Sequence, residues 1–185
     1  ADGSCKLLLH NHGIHGVSMN MPFHNLVSAD WMGAANRIIK ERKLADMPLF
    51  VLAPCGDVNP YISCSKLQND TAADFIAGQY IADLEKDIAN GGEEIIDAKI
   101  STRLKTFAFP DVPQTADELR RDAETIREKM GNRAARLDEM AILLEHGRDL
   151  HPYHDLQVIR IGEISMYFIP GEFFVESGKV LMEKS

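Results

Sequence analysis

Residues 7–20 have the sequence LLLHNHGIHGVSMN, in which an apolar run ends at three histidines with H-x-H-x-x-H spacing. The leucines predict a buried strand over residues 5–12, and the glycines that follow predict a loop. In an extended strand, His10 and His12 point to the same face, and a turn at the next glycine brings His15 back towards them. Because neutral imidazole is the commonest side-chain ligand of zinc, the cluster indicates a metal or catalytic site. The alternative is a set of polar residues that are hydrogen-bonded to backbone at a strand end.

Further along the chain, helical and extended patterns follow one another. Apolar periodicity predicts helices over residues 31–43, 70–90, 115–130, 133–146 and 173–183, and strands over residues 49–53, 94–109, 156–161 and 164–169. The last two strands are joined by Gly162-Glu163, a two-residue hairpin signal. This mixture predicts an α/β layered domain with a mixed β-sheet flanked by helices, in which three strand ends each carry a polar loop. The absence of repeats and linkers predicts one domain over residues 1–185.

Composition limits the classes of protein that this chain can belong to. The chain has 185 residues, of which 45 % are hydrophobic and 26 % charged, and no apolar run approaches the roughly 20 residues that span a bilayer. A net charge of −8, with basic residues interspersed among acids in helical segments, argues against nucleic acid as a partner. No signal segment is recognisable, which leaves the compartment open, and we expect the chain to be processed or incomplete.

The three cysteines do not form a recognisable framework. Cys5, Cys55 and Cys64 have no C-x-x-C spacing, so neither a thiolate zinc site nor a disulfide scaffold is indicated. Cys55 stands next to Gly56-Asp57 in a predicted loop. Its two interpretations are a nucleophile and a small packing residue, and lone cysteines are more often the latter.

Four stretches of the sequence match one known family in order. They are IHGVSMN at 14–20, NLVSADWMG at 25–33, GDVNP at 56–60 and IPGEF at 169–173. Together they resemble the N-terminal catalytic domain of the neutral/alkaline non-lysosomal ceramidases. The resemblance covers almost the whole chain, least around residues 115–148, and it implies that the chain is an internal part of that domain.

The resemblance implies a zinc-dependent amide hydrolase. In that family, zinc activates water to hydrolyse N-acylsphingosine to sphingosine and fatty acid. Carried over by motif, the resemblance implies His15 and Glu172 as the zinc ligands of this chain. The family's other histidine ligand and its tyrosine ligand come from segments that this sequence does not contain, so we expect the remaining ligands to lie elsewhere. His10 and His12 have no counterpart in the family pattern. Their two interpretations are a substitute for the missing zinc ligand and residues that line the pocket.

Other residues receive catalytic roles on the same basis. His12, or His10 in its place, is expected to move a proton or stabilise the oxyanion, and Asp57 or Asp30 to orient an imidazole through its second nitrogen. Asp30 is, like His10, also a candidate for an additional zinc ligand. Asn59 stands where well-studied members of the family have a serine. The structural alternatives are a turn former for Asp57, a helix cap for Asp30 and an ordinary first-turn acid for Glu172.

The resemblance also implies the kind of substrate and partner that the protein binds. The substrate is a lipid or another N-acyl amide, and contact with a membrane surface is left open. Met19, Met21 and Phe23 are candidates for contact with an acyl chain, with core packing as the alternative. Members of the family are often secreted or held at the cell surface. Two other functions stay open: a lipid- or metal-binding protein without catalysis, and a hydrolase of another small amide or ester.

Overall fold

A parallel pair of strands and an antiparallel group of three organise this chain. The computed structural model describes residues 4–19, 27–62, 70–95, 98–108, 114–148, 150 and 153–185. Within them, the elements in chain order are β1 (Leu7–His12), α1 (Asp30–Glu41), β2 (Met47–Leu52), α2 (Asp70–Asn90), β3 (Ile100–Ala108), α3 (Ala116–Ile126), α4 (Gly131–Glu145), β4 (Tyr153–Ile161), β5 (Ile164–Phe168) and α5 (Val175–Glu183). The predicted fold class, an α/β layered domain with strands of mixed orientation and with helices, is confirmed, and the parallel and antiparallel strands form two separate sheets.

The first compact unit comprises Ala1–Ile96 and Gly171–Ser185. Strands β1 and β2 pair in parallel, from Leu7 opposite Met47 to His12 opposite Leu52. Helices α1 and α2 pack on each other because apolar side chains recur on each at i and i+4, which forms one stripe. The buried cluster of this unit comprises Trp31, Ala35, Ile39, Ala45, Ala73, Ile76, Ala77, Tyr80 and Ile81. This cluster supports the face of β1 that carries the first two histidines, because their rings contact Tyr80.

The second compact unit is Asp97–Pro170. Its three strands form an antiparallel sheet in the order β3-β4-β5, with Ile100 opposite Ile161 and Ile161 opposite Ile164. Helices α3 and α4 pack as a hairpin. Helix α3 begins with a capping box, in which Thr115 and Glu118 exchange side-chain and backbone hydrogen bonds.

The element bounds differ from the predicted ones by a few residues at most of the ends. Strand β4 begins at Tyr153, three residues before the predicted start, because its pairing with β3 extends to Ala108. A helix long and apolar enough to cross a bilayer does not occur in the part of the chain that the structure describes. The chain thus divides into two compact units, and a single domain over residues 1–185 stays a prediction.

Candidate active site

Two loops of the first unit leave the same edge of the parallel pair. The chain runs from His12 into one loop and from Leu52 into the other, and the carboxyl ends of parallel strands lie side by side. The backbone N–H of Ala53 donates to the carbonyl of His12 at 3.1 Å. The N–H of His15 donates to the carbonyl of Val58 at 3.0 Å. These two bonds hold the histidine loop against the G-D-V-N-P loop.

The P-G-E-F segment joins these two loops. The N–H of Gly56 donates to the carbonyl of Phe173 at 2.8 Å, and the N–H of Val175 donates to Oδ1 of Asp57 at 2.9 Å. A Cβ atom at position 56 would overlap the carbonyl oxygen of Glu172, so this close approach requires glycine. Three of the four motifs that carry the resemblance therefore meet at one edge of the strand pair.

His15 lies at the centre of this meeting point. Its Nε2 atom is 3.9 Å from Oε2 of Glu172, and its Nδ1 atom is 3.9 Å from Sγ of Cys55. The backbone of His15 is held on both sides. Its N–H donates to Val58, and its carbonyl accepts the indole N–H of Trp31 at 3.2 Å. The side chain of His15 is only 18 % exposed, whereas that of Glu172 is 76 % exposed. The pair thus combines a held imidazole with a movable carboxylate.

The geometry of this pair fits two ligands of one zinc ion. With zinc–ligand bonds of about 2.0–2.1 Å, two ligands of a tetrahedral site lie about 3.4 Å apart. The observed 3.9 Å requires only a small movement, which the exposed Glu172 side chain can make. Among the residues that the structure describes, no group of three His, Cys, Asp or Glu side chains is arranged to hold a metal ion. The pair is therefore suited to be half of a tetrahedral ligand set.

Cys55 takes the position beside the second nitrogen of His15 that was expected for a carboxylate. Asp57 instead binds the N–H of Val175, and Asp30 binds the histidine loop further along. Burial, followed by the negative charges of Glu172 and Asp57, raises the pKa of the Cys55 thiol. A thiol held in its neutral form is a poor nucleophile, so the nucleophile interpretation of Cys55 is disfavoured. Its place next to Gly56-Asp57 was the only sequence signal for this contact.

Asp30 is a buried carboxylate that holds the loop carrying His15. Its Oδ1 atom accepts the hydroxyl of Ser18 at 2.5 Å and the N–H of Trp31 at 2.7 Å, and its Oδ2 atom accepts the N–H of Met19 at 2.9 Å. Ala29 occupies the N-cap position of α1, without a side-chain capping bond. Asp30 itself has a φ of 51°, in the left-handed region. Asp30 therefore positions the loop. The two expectations for this residue, orienting an imidazole and capping the helix, did not include this role.

His10 is enclosed in the core of the first unit. Its Nε2 atom lies 2.8 Å from Oδ1 of Asn36, which can only accept, so Nε2 carries the proton. Its Nδ1 atom then accepts the hydroxyl of Tyr80 at 2.9 Å. Burial, and secondarily Asp87, raises the pKa of Tyr80 to about 12, so the phenol stays a donor. With both ring nitrogens engaged, His10 would have to break one of these bonds to bind a metal.

Replacing Tyr80 by phenylalanine tests this core arrangement. The buried Nδ1 atom of His10 loses its donor, and we expect the free energy of unfolding to fall by about 1–3 kcal/mol. Tyr61→Phe is the matched control, because the side chain of Tyr61 is 73 % exposed. Urea unfolding followed by circular dichroism measures both variants. Equal midpoints for the two variants would contradict the proposed hydrogen bond.

His12 lies against aromatic rings of the buried cluster of the first unit. Its ring contacts those of Trp31 and Tyr80, with centroids 5.8 Å and 4.9 Å away. Burial lowers the pKa of His12, and the negative charge of Asp83 partly opposes this shift. The imidazole is therefore neutral at neutral pH and can accept a proton. Asn59 is exposed, one residue after the carbonyl that binds the N–H of His15.

The lowered pKa of His12 predicts a dependence of stability on pH. The unfolded chain takes up a proton near pH 6.5 that the folded chain resists, so this contribution to stability is complete above about pH 6.5 and is lost as the pH falls towards the folded pKa. Urea unfolding at about pH 7.5 and about pH 5.5 compares the wild type with His12→Gln. We expect the wild type to lose more stability than the variant between these two conditions. An identical loss in both proteins would remove His12 as its source.

A shallow cavity lies beside this region. It has a volume of about 450 Å³ and is lined by Met19, Asp30, the α1 residues Gly33, Ala34 and Arg37, and neighbouring residues. Met19 lines this cavity and also packs against the buried cluster of the first unit, so contact with an acyl chain stays a prediction beside core packing. Met21 and Phe23 lie outside the described residues, as does the start of the N-L-V-S-A-D-W-M-G motif.

Protein-family models, curated proteins and solved structures give no match to this chain.

Proposed function

We propose that this chain belongs to a zinc-dependent amide hydrolase that resembles neutral ceramidase and cleaves N-acylsphingosine, or a related N-acyl compound, into an amine and a fatty acid. One observation carries the proposal. The two residues that the resemblance implies as zinc ligands, His15 and Glu172, come from motifs far apart in the sequence and lie with Nε2 and Oε2 3.9 Å apart. The distance is within reach of one metal ion.

Zinc, when bound, supplies a Lewis acid that lowers the pKa of water to about 7 and polarises a carbonyl group. His15 and Glu172 would hold it. The backbone of His15 is fixed by Val58 and Trp31, so Nε2 is directed towards the exposed carboxylate. Asp57 orients the segment that carries Glu172 by accepting the N–H of Val175. These contacts hold the backbone of both ligand-bearing segments in place, while the exposed Glu172 side chain stays free to move towards a metal.

The remaining catalytic assignments form part of the same proposal. His12 is the candidate for proton transfer, because its pKa is lowered and its neutral ring can accept a proton. Asn59 is exposed at the site edge, where its amide can donate a hydrogen bond to a developing oxyanion. Neither role requires the serine that the family has at this position.

Substrate comparison tests the proposed function. The full-length protein is incubated with N-acylsphingosine bearing a labelled acyl chain and with short acyl amides, with and without a chelator. We expect release of the labelled fatty acid, its loss with the chelator and its recovery on addition of zinc. Hydrolysis of the short amides alone would indicate a different small-amide hydrolase. Bound zinc without any hydrolysis would favour a non-catalytic lipid- or metal-binding protein.

A further inference from the structure

The sheet of the second unit gathers three cations on one face. Paired residues in antiparallel strands point to the same face, and alternate residues along a strand to opposite faces. Arg103 pairs with Val158, and Val158 with Tyr167. Two further side chains, Lys105 and Arg160, lie two residues from this row on β3 and β4. We call this the basic sheet face, made of Arg103, Lys105, Leu156, Val158, Arg160 and Tyr167.

The charge of this face is not neutralised within the described part of the chain. Arg103, Lys105 and Arg160 are all exposed. Among the described residues, no carboxylate pairs with Arg103 or Lys105, and Arg160 donates from Nε to the carbonyl of Gly162 at 2.8 Å. Asp155, the acid of β4, is on the opposite face, where it accepts the hydroxyl of Thr106 at 2.6 Å. The face is therefore positive, although the chain has a net charge of −8.

Strand pairing explains why the sequence did not predict this patch. The basic residues are separated along the chain by polar and apolar neighbours, and one of them is on a different strand. The sequence showed its basic residues interspersed among acids, whereas strand pairing places three of them together on this sheet. Pairing of β3 with β4 brings Arg160 opposite Ser101, two positions along β3 from Arg103.

The apolar side chains between the cations indicate the kind of partner. Leu156 and Val158 are partly buried, and Tyr167 is 37 % exposed. Cations attract an anionic lipid surface, and tyrosine favours the boundary between headgroups and acyl chains. Phe107 and His154 lie on the same face, but they are partly buried and their rings contact each other, so Tyr167 is its exposed ring among the described residues. A single-stranded nucleic acid would instead need several exposed aromatic rings for base stacking. We propose that the basic sheet face binds the surface of an anionic phospholipid bilayer, a function that goes beyond the hydrolase and does not depend on it.

Vesicle co-sedimentation tests the charge contribution. The full-length protein is mixed with phosphatidylcholine vesicles containing about 30 % phosphatidylserine, or with phosphatidylcholine alone. Each cation near such a surface adds about 1 kcal/mol, or about fivefold, so Arg103→Gln with Lys105→Gln is expected to weaken binding about 25-fold. The matched control is Arg133→Gln with Arg136→Gln, two exposed arginines of α4. It makes the same change in net charge and is expected to alter binding less than about twofold, since it leaves the face intact.

A fluorescence measurement tests the face itself and does not depend on how the double variant folds. The single native tryptophan, Trp31, is fully buried, so we expect its emission to stay unchanged when vesicles are added. Tyr167→Trp places a reporter on the basic sheet face, and Tyr153→Trp places one on the opposite face of the sheet. With anionic vesicles, we expect a blue shift for Tyr167→Trp only.

Several outcomes would overturn this proposal. They are equal binding to neutral vesicles, equal weakening by the two double variants, a shift at position 153 without one at 167, and tighter binding to a single-stranded oligonucleotide than to anionic vesicles. Loss of hydrolysis with intact vesicle binding would instead count against the proposed hydrolase and leave the docking surface standing.

Discussion

Asp30→Asn is expected to lower the free energy of unfolding by about 2–4 kcal/mol, since buried donors that lose an acceptor cost about 1–3 kcal/mol each. The asparagine oxygen can replace one carboxylate oxygen, but its NH₂ group then faces the N–H of Met19 or the hydroxyl of Ser18. Asparagine adopts the left-handed backbone as readily as aspartate, so the φ of 51° at this position adds no strain of its own. The loop that carries His15 therefore loses its anchor.

Asp74→Asn is the matched control for this change. Asp74 is exposed and accepts from Arg37 at 2.7 Å, and exposed ion pairs contribute about 0–1 kcal/mol. Urea unfolding of the two variants measures the difference. We also expect Asp30→Asn to reduce zinc affinity, whereas Asp74→Asn leaves it unchanged. Similar stability of the two variants would show that the Asp30 network does not hold the loop.

Glu172→Gln is expected to lower amide hydrolysis at least about a hundredfold, because outer-shell partners of metal ligands alone account for about 10–100-fold. The substitution preserves the size of the side chain and removes the negative charge that faces Nε2 of His15. Since Glu172 is exposed, we expect the fold to be retained, and circular dichroism checks this. The rate is measured with the labelled N-acylsphingosine.

Glu176→Gln provides the matched control in the same segment. Glu176 lies in the first turn of α5, and its carboxylate is 3.5 Å from Nζ of Lys179. Like Glu172, it is negatively charged and exposed, but it has no described contact with His15. Activity is expected to stay within about twofold of the wild type. If both variants lost activity equally, the loss would be explained by a general effect of charge, and the ligand role of Glu172 would be contradicted.

Local sequence patterns predicted most of the secondary structure. The run of leucines before His10 gave β1, and the stripe that includes Ala73, Ala77 and Ile81 gave α2, because these residues recur with the period of the element they form. The two-residue turn at Gly162 predicted the hairpin, and this glycine has a φ of 59°. Strand order and the positive face of the antiparallel sheet were not predictable in this way, because they depend on the partner of each strand.

The candidate site was predictable only in part. The motifs indicated His15, Asp57 and Glu172 as site residues. In the structure, the backbone N–H groups of Gly56 and Val175 donate the hydrogen bonds that join the segments of Asp57 and Glu172. The spacing of the histidines did not indicate which of them lies in the core. His10 has the same type of neighbours in sequence as His12, yet its ring nitrogens are engaged by Tyr80 and Asn36, two partners supplied by helices packed on the strand.

Zinc content, measured by mass spectrometry on the full-length protein, shows whether His15 and Glu172 bind zinc. The wild type is compared with His15→Ala, Glu172→Ala and the control Glu176→Ala, after gel filtration to remove loosely bound ions. We expect about one zinc ion per chain in the wild type and the control, and loss of zinc in the other two variants. A wild type without zinc, or a zinc content that is unchanged in His15→Ala and Glu172→Ala, would contradict it.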